Sequence, residues 1–255
     1  MIANKCVHPS LRGLLEVGLL CLPAIPAYLW VWPNLRGSAL DVWQVFVYLY
    51  IIAGTAFIGR RYYSWHELGI NRQGIGLALG CTVALLAARL SIILGIDWTV
   101  RPAPLTGWGL LGDLLFYLCL VGFGEELLFR GLLYRLLEDW HGARLAIWGS
   151  SFGFMLWHIF GQGLFVGVAT FVIGLLFALM RWRGGGILGL ILLHALWDLQ
   201  AVWLVAESNT AILNPGGVEF RSPLLVWLGT ALLLLTPFYV WLLYPRVTGW
   251  LSRQR

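Results

Sequence analysis

Charged residues are scarce in this sequence of 255 residues, and their scarcity excludes several classes of protein. Asp, Glu, Lys and Arg make up 11% of the chain, whereas 60% of the residues are hydrophobic. Soluble domains contain about 25% charged and about 45–50% apolar residues. The composition therefore excludes a water-soluble globule, a disordered tail and a nucleic-acid-binding module, so no nucleic acid is expected as a partner.

Cysteine is also rare, and its placement excludes a further class. The four cysteines form no C-x-x-C pair and lie in or next to apolar runs. This pattern favours small buried side chains over a disulfide framework or a cysteine metal site. A secreted disulfide scaffold is therefore excluded.

Long apolar runs occupy most of the chain. A helix needs about 20 apolar residues to cross a hydrocarbon core of about 30 Å. We therefore predict an all-α polytopic membrane protein, embedded in the lipid bilayer, with about eight transmembrane helices and a polar intramembrane site. The predicted spans are Gly13–Trp32, Val42–Gly59, Gly74–Gly95, Trp108–Leu128, Ala143–Gly161, Gly163–Met180, Ile187–Ala206 and Pro223–Tyr244.

The predicted spans divide the chain into three parts and suggest its orientation. Residues 1–107 hold helices 1–3, residues 108–206 hold helices 4–7, and residues 207–255 hold a loop, helix 8 and a tail. Of the 17 Lys and Arg residues, 13 fall in the loops and ends on one side of the predicted membrane. Because cytoplasmic loops are enriched in Lys and Arg, both termini are expected in the cytoplasm. The preference for Arg over Lys favours a bacterial cytoplasmic membrane.

Ionisable residues inside three predicted spans are the candidates for a functional site. They are Glu125, Glu126 and Arg130 in span four, His158 in span five, and His194 and Asp198 in span seven. Each charged side chain costs about 2.5–3.5 kcal/mol near a helix centre, so these side chains are expected to meet one another or water. At a rise of about 1.5 Å per residue, Glu125, His158, His194 and Asp198 fall in one layer of the membrane.

The residue types in this layer suit two kinds of chemistry. A carboxylate beside two imidazoles can activate a water molecule and stabilise the charge that develops on an attacked carbonyl. The same side chains are also zinc ligands. Glu126 and Arg130 are four residues apart and are expected to pair, and Arg89 is expected to pair with Asp113. Each feature also has a structural interpretation, as a helix-end salt bridge, a core histidine or a polar contact between helices.

Three motifs resemble the signatures of the CPBP family, which includes the type II CAAX prenyl endopeptidases. The motifs are Glu125-Glu126-x-x-x-Arg130, Phe154-x-x-x-His158 and His194-x-x-x-Asp198, and the resemblance covers about Leu110 to Val205. It implies an intramembrane endopeptidase whose catalytic core is residues 108–206. The implied partner is a membrane-associated protein or peptide substrate.

The resemblance also implies a role for each residue. Glu125 and His158 would position and activate the hydrolytic water, His194 and Asp198 would stabilise the oxyanion, and Glu126 with Arg130 would support the site. The prenyl proteases typically carry Asn where this chain has Asp198, and an ionised carboxylate cannot donate a hydrogen bond. Asp198 is therefore protonated, orients His194, or binds a metal.

The need for a cofactor is open at this point. A glutamate-type enzyme requires none, whereas a metal-dependent enzyme would hold Zn²⁺ on Glu125, His158, His194 and Asp198. Two functions from other classes fit the same residues. One is a proton-coupled transporter, in which the acidic residues form a relay, and the other is a non-catalytic membrane binding module on the same scaffold.

Overall fold

A computed structural model of the chain describes residues 9–23, 26, 31, 34–35, 38–95, 98–102, 107–208 and 221–243. These residues are predominantly helical, with one short β-ribbon. The predicted orientation of the termini concerns residues 1–8 and 244–255, which lie outside the described part of the chain. The later part of predicted span one also lies largely outside it.

The helices follow the apolar runs of the sequence. In chain order they are α1 (Pro9–Cys21), α2 (Ser38–Tyr62), α3 (Ile75–Gly95), α4 (Gly107–Leu115), α5 (Phe123–Glu126), α6 (Tyr134–Gln162), α7 (Leu164–Gly184), α8 (Leu188–Trp203) and α9 (Pro223–Leu243). Two π-helices, Phe116–Gly122 and Leu127–Leu133, connect α4, α5 and α6 without a break.

Four helical segments of the described residues are long and apolar enough to cross a membrane. They are Asp41–Tyr62, Ile75–Gly95, Gly107–Phe160 and Val166–Gly184. Leu188–Trp203 and Pro223–Phe238 are apolar but shorter. These segments indicate an integral membrane protein, whereas the expected number of about eight transmembrane helices is not confirmed.

The longest of these segments is a helical hairpin. The helix is interrupted at Gly142, whose φ of 80° and ψ of 178° favour a residue without a side chain. The two arms that flank this turn lie close together: a Cβ added to Gly149 would contact Leu137, and a Cβ added to Gly153 would contact Leu133. This order of contacts is antiparallel, so the segment contains both the fourth and the fifth predicted span. Small residues allow the two arms to approach closely.

A two-stranded antiparallel ribbon is a feature that the all-α prediction missed. Strand β1 (Trp98–Pro102) follows α3, and β2 (Leu204–Ser208) follows α8, with Trp98 opposite Ser208. The seventh span was predicted to reach Ala206, but α8 ends at Trp203. The last residues of that apolar run pair with β1. Their backbone N–H and C=O groups therefore form hydrogen bonds between strands instead of within a helix.

Arg181 connects three elements at one end of the helices. Its side chain is buried, and it donates to the carbonyl oxygens of Arg130 at 3.0 Å, of Glu67 at 2.7 Å and of Gly185. The Glu67 carboxylate itself accepts from the N–H and the hydroxyl of Ser64, which lowers the pKa of Glu67. Arg181 thereby fixes the π-helix that carries Arg130 against the segment between α2 and α3.

Candidate active site

Glu125 and Glu126 lie on a helical turn that is flanked on both sides by π-helices. The four-residue α5 separates the two π-helices, and π-helical turns are rare and frequent at functional sites. At Gly122, the last residue of the first π-helix, a Cβ would lie 2.9 Å from the carbonyl oxygen of Ile191 in α8. This backbone contact brings His194, one turn further along α8, within reach of the acidic pair.

Glu126 is fully buried and accepts hydrogen bonds from two cationic or imidazole groups. Its Oε1 lies 3.0 Å from Nη1 of Arg130 and 2.8 Å from Nδ1 of His194. Arg130 also donates from Nη2 to the carbonyl oxygen of Gly174 in α7 at 3.3 Å. The predicted Glu126–Arg130 pair is therefore confirmed as a contact, and the structure adds His194 to it.

Two buried aromatic rings pack against this network. The ring of Phe154 lies 4.2 Å from the guanidinium carbon of Arg130, 4.5 Å from the ring of His158 and 5.8 Å from that of His194. Phe177 contacts two of the same residues, 5.2 Å from Arg130 and 5.7 Å from His194. Cation–π contact and exclusion of water both strengthen the buried charge pair.

The two carboxylate oxygens of Glu125 have different environments. Oε1 accepts from the Tyr48 hydroxyl at 2.8 Å and from the Trp157 indole at 3.2 Å. Oε2 lies 3.8 Å from Nε2 of His158 and 3.7 Å from Nε2 of His194, and no described residue gives it a hydrogen bond. One oxygen is thus fixed, and the other faces two imidazole nitrogens at distances that a bridging water can span.

Hydrogen bonds at Nδ1 orient both imidazoles. His158 donates from Nδ1 to the carbonyl oxygen of Phe154 at 2.9 Å, which leaves Nε2 as an acceptor in the neutral ring. His194 donates from Nδ1 to Glu126, and its Nε2 lies 3.5 Å from Oδ2 of Asp198. The Nε2 atoms of both rings therefore point toward Oε2 of Glu125.

A cavity of about 500 Å³ gives access to this cluster. Its walls include Glu125, His158 and Asp198, together with Tyr48 and Trp157. His194 is 4% exposed and lies behind this wall, bonded to Glu126. A substrate in the cavity would therefore meet Glu125, His158 and Asp198 directly.

Arg89 also lines this cavity, and its predicted partner is wrong. Its Nη1 donates to the carbonyl oxygen of Trp197 at 2.7 Å. Asp113 instead accepts from the indole of Trp203 at 3.1 Å. Helix α8 therefore supplies a partner to each of the two residues that were expected to pair.

The donor set contains the residue types of a zinc site, but its spacing does not fit. In the part of the chain that is described, no group of three His, Cys, Asp or Glu side chains is arranged to hold a metal ion. Ligand atoms at about 2.0–2.1 Å from a tetrahedral zinc lie about 3.3 Å apart, whereas Oε2 of Glu125 is 3.7 Å and 3.8 Å from the two imidazole nitrogens.

The structure brings the six candidate site residues into one contiguous cluster, joined by the contacts above. The sequence reasoning missed Tyr48 and Trp157, which hold Oε1 of Glu125. Trp157 directly precedes His158, so its position within a motif was a usable signal. Tyr48 is 77 residues from Glu125 and lies in another helix, α2, so no local pattern indicated it.

The described helices indicate an integral membrane protein, and they hold a buried acid–imidazole cluster. Residues 107–200 match the family model of the type II CAAX prenyl endopeptidase Rce1-like proteins. The match confirms the resemblance predicted from the three motifs, all of which fall inside it, and it supports a protease. No curated protein and no solved structure matches the chain.

Proposed function

We propose that this protein is an intramembrane endopeptidase that hydrolyses a peptide bond of a membrane-associated protein or peptide. The observation that carries the proposal is the position of Oε2 of Glu125 in the wall of a cavity, where it faces Nε2 of His158 in the same wall and Nε2 of His194 directly behind it. The family match over residues 107–200 supports the same activity.

In the proposed reaction, Glu125 and His158 activate a water molecule. The water donates one hydrogen to Oε2 of Glu125 and the other to Nε2 of His158, so that its lone pair faces the substrate carbonyl. The water oxygen bonds to the carbonyl carbon while Glu125 accepts the proton. The C–N bond then breaks, and the proton passes to the departing amine.

From its position directly behind the cavity wall, with Nε2 3.7 Å from Oε2 of Glu125, His194 stabilises the negative charge that develops on the carbonyl oxygen. Its Nδ1 is bonded to the Glu126 carboxylate, and a ring with a proton on both nitrogens presents Nε2 as a donor. Asp198, 3.5 Å from Nε2, adds a second negative charge beside the ring. We therefore propose that Asp198 acts by orienting Nε2 of His194, a role that does not require a protonated carboxyl.

Tyr48 and Trp157 orient the base in this proposal. Both donate to Oε1 of Glu125, which leaves Oε2 as the oxygen available for proton transfer. Residues 108–206 form the proposed catalytic core, and Tyr48 contributes from the N-terminal part of the chain.

The test is cleavage by purified protein in lipid nanodiscs. A panel of S-farnesylated and N-acylated peptides is incubated in water enriched in oxygen-18, and mass spectrometry follows the label in new carboxyl termini. Glu125→Gln is expected to reduce cleavage by at least about 10³-fold, the scale of general-base catalysis. The control is Glu16→Gln in α1, whose carboxylate pairs with Arg12 and Arg61. Full cleavage by the Glu125 variant would refute the assignment.

We also propose that the protein resides in a bacterial cytoplasmic membrane with both termini in the cytoplasm, as the distribution of basic residues predicts. Fusions of a reporter that is active only in the cytoplasm, one at each terminus, are expected to be active. An inactive fusion at either terminus would contradict this orientation.

A further inference from the structure

Arg89 is a cavity-lining cation that the proposed hydrolysis does not use. It lies in α3, and its guanidinium is held at one end of the cavity by a hydrogen bond to the Trp197 carbonyl oxygen and by stacking on the Trp197 ring, 4.5 Å away. Trp197 directly precedes Asp198. The guanidinium therefore lies in the same cavity as Glu125, on the side formed by α8.

The hydrogen bonds of Arg89 leave most of its donor capacity unused. A guanidinium carries five N–H groups, and the described residues accept one hydrogen bond from Arg89. Two buried arginines, Arg130 and Arg181, are more fully bonded. Arg130 binds a carboxylate and a carbonyl, and Arg181 binds three carbonyl oxygens.

The charge of Arg89 interacts with that of Asp198, which lines the same cavity, but Arg89 forms no direct ion pair among the described residues. The described residues place no carboxylate oxygen within 4.0 Å of its nitrogens, and Asp113, the expected partner, is bonded to Trp203. A charged side chain within the membrane is costly and is usually paired or functional. Since Arg89 is only half-buried and lines a cavity, its free N–H groups are accessible to a ligand there.

We propose that Arg89 forms an anion subsite that binds a carboxylate of the peptide being cleaved. The inference rests on the proposed peptidase function, because the subsite shares its cavity with Glu125. Arginine binds carboxylates through two parallel hydrogen bonds. Such a contact would fix the position of the peptide relative to Oε2 of Glu125. The carboxylate is either the free C-terminus of the peptide or an acidic side chain.

Binding is tested apart from cleavage, with the inactive Glu125→Gln protein in nanodiscs. The probes are N-dodecanoyl-Leu-Val with a free carboxylate, its C-terminal amide, and N-dodecanoyl-Leu-Glu amide, and microscale thermophoresis measures their Kd values. A charge-assisted contact predicts about 10- to 100-fold tighter binding of the free acid than of its amide. If the Glu amide also binds tightly, the subsite accepts the carboxylate of an acidic side chain. If the Glu amide binds weakly, the subsite is specific for the C-terminal carboxylate.

Two variants in the same background isolate the contribution of Arg89. Arg89→Met is expected to abolish the preference for the carboxylate and to leave amide binding unchanged. Arg183→Met is the matched control, because Arg183 stacks on Trp182 at the same 4.5 Å and does not line the cavity. The proposed subsite would be overturned if the protein with Arg89 intact bound the acid and the amide equally. It would also be overturned if the preference for the acid survived Arg89→Met. The cleavage assay would still report separately on the peptidase function.

Discussion

The Nδ1 atom of His194 lies 2.8 Å from Oε1 of Glu126, and this contact connects two motifs that are 68 residues apart. It makes Glu126 the partner of an imidazole as well as of Arg130. Glu126 thus differs in its surroundings from its neighbour Glu125, since its carboxylate is enclosed within the protein whereas Glu125 lines the cavity. The distinction leads to opposite expectations for the two residues.

Glu126→Gln should destabilise the protein, because Arg130 would keep a buried charge without its counter-charge. Breaking one side of a buried pair costs about 3–5 kcal/mol, so thermal unfolding in detergent should show a clearly lower Tm. Glu138→Gln is the control, because its pair with Arg135 is partly exposed and such pairs contribute at most about 1 kcal/mol.

The same experiment can be repeated in an Arg130→Met background. There the Glu126→Gln change should cost much less, since no buried cation remains to be left unpaired. Equal losses in the two backgrounds would show that the Glu126–Arg130 pair does not determine the stability.

Tyr48→Phe should reduce kcat by about 10-fold and leave KM nearly unchanged. The change removes one of two donors to Oε1 of Glu125, and hydrogen bonds to charged groups contribute about 1.5–3 kcal/mol. The cleavage assay measures both constants. Tyr50→Phe, which removes a hydroxyl bonded to the Leu20 carbonyl, should have no effect on either. A similar loss in both variants would indicate a structural effect of α2.

Gly122→Ala should reduce activity strongly, because the new Cβ would lie 2.9 Å from two backbone oxygens, those of Ile191 and Tyr117. Backbone atoms cannot rotate away, so the helix carrying Glu125 must move from α8. A displacement of about 1 Å can cost about 10²-fold in rate, and overpacking costs about 1–3 kcal/mol.

The matched variant is Gly112→Ala in the same continuous helix, where no atom lies within 4 Å of the added Cβ. It should retain full activity and at least the original Tm. Normal cleavage by Gly122→Ala would show that the contact between the first π-helix and α8 tolerates displacement.

Removal of metal should leave cleavage unchanged. The separations of 3.7 Å and 3.8 Å between Glu125 and the two imidazoles are longer than a tetrahedral zinc site requires. Cleavage is measured after dialysis against 1,10-phenanthroline and again after addition of zinc. Loss of activity that zinc restores would replace the glutamate-type proposal with a metal-dependent one.

Much of the site was predictable from spacing within single helices. Glu126 and Arg130, or His194 and Asp198, are four residues apart and share a helix face whatever the rest of the chain does. The cost of ionisable groups in the membrane also required the three motifs to converge. The partners that these side chains contact on other helices were not predictable in the same way, as the wrong pairing of Arg89 with Asp113 shows.

The sequence by itself determined that this chain is an apolar helical protein of a membrane, and which few polar residues lie within it, because hydropathy and helical periodicity are local properties. Only the tertiary structure decided that Tyr48 holds Glu125, that His194 binds Glu126, and that two π-helices flank the acidic pair. These relationships depend on how helices distant in sequence rotate and approach one another, and that is set by packing at positions such as Gly122.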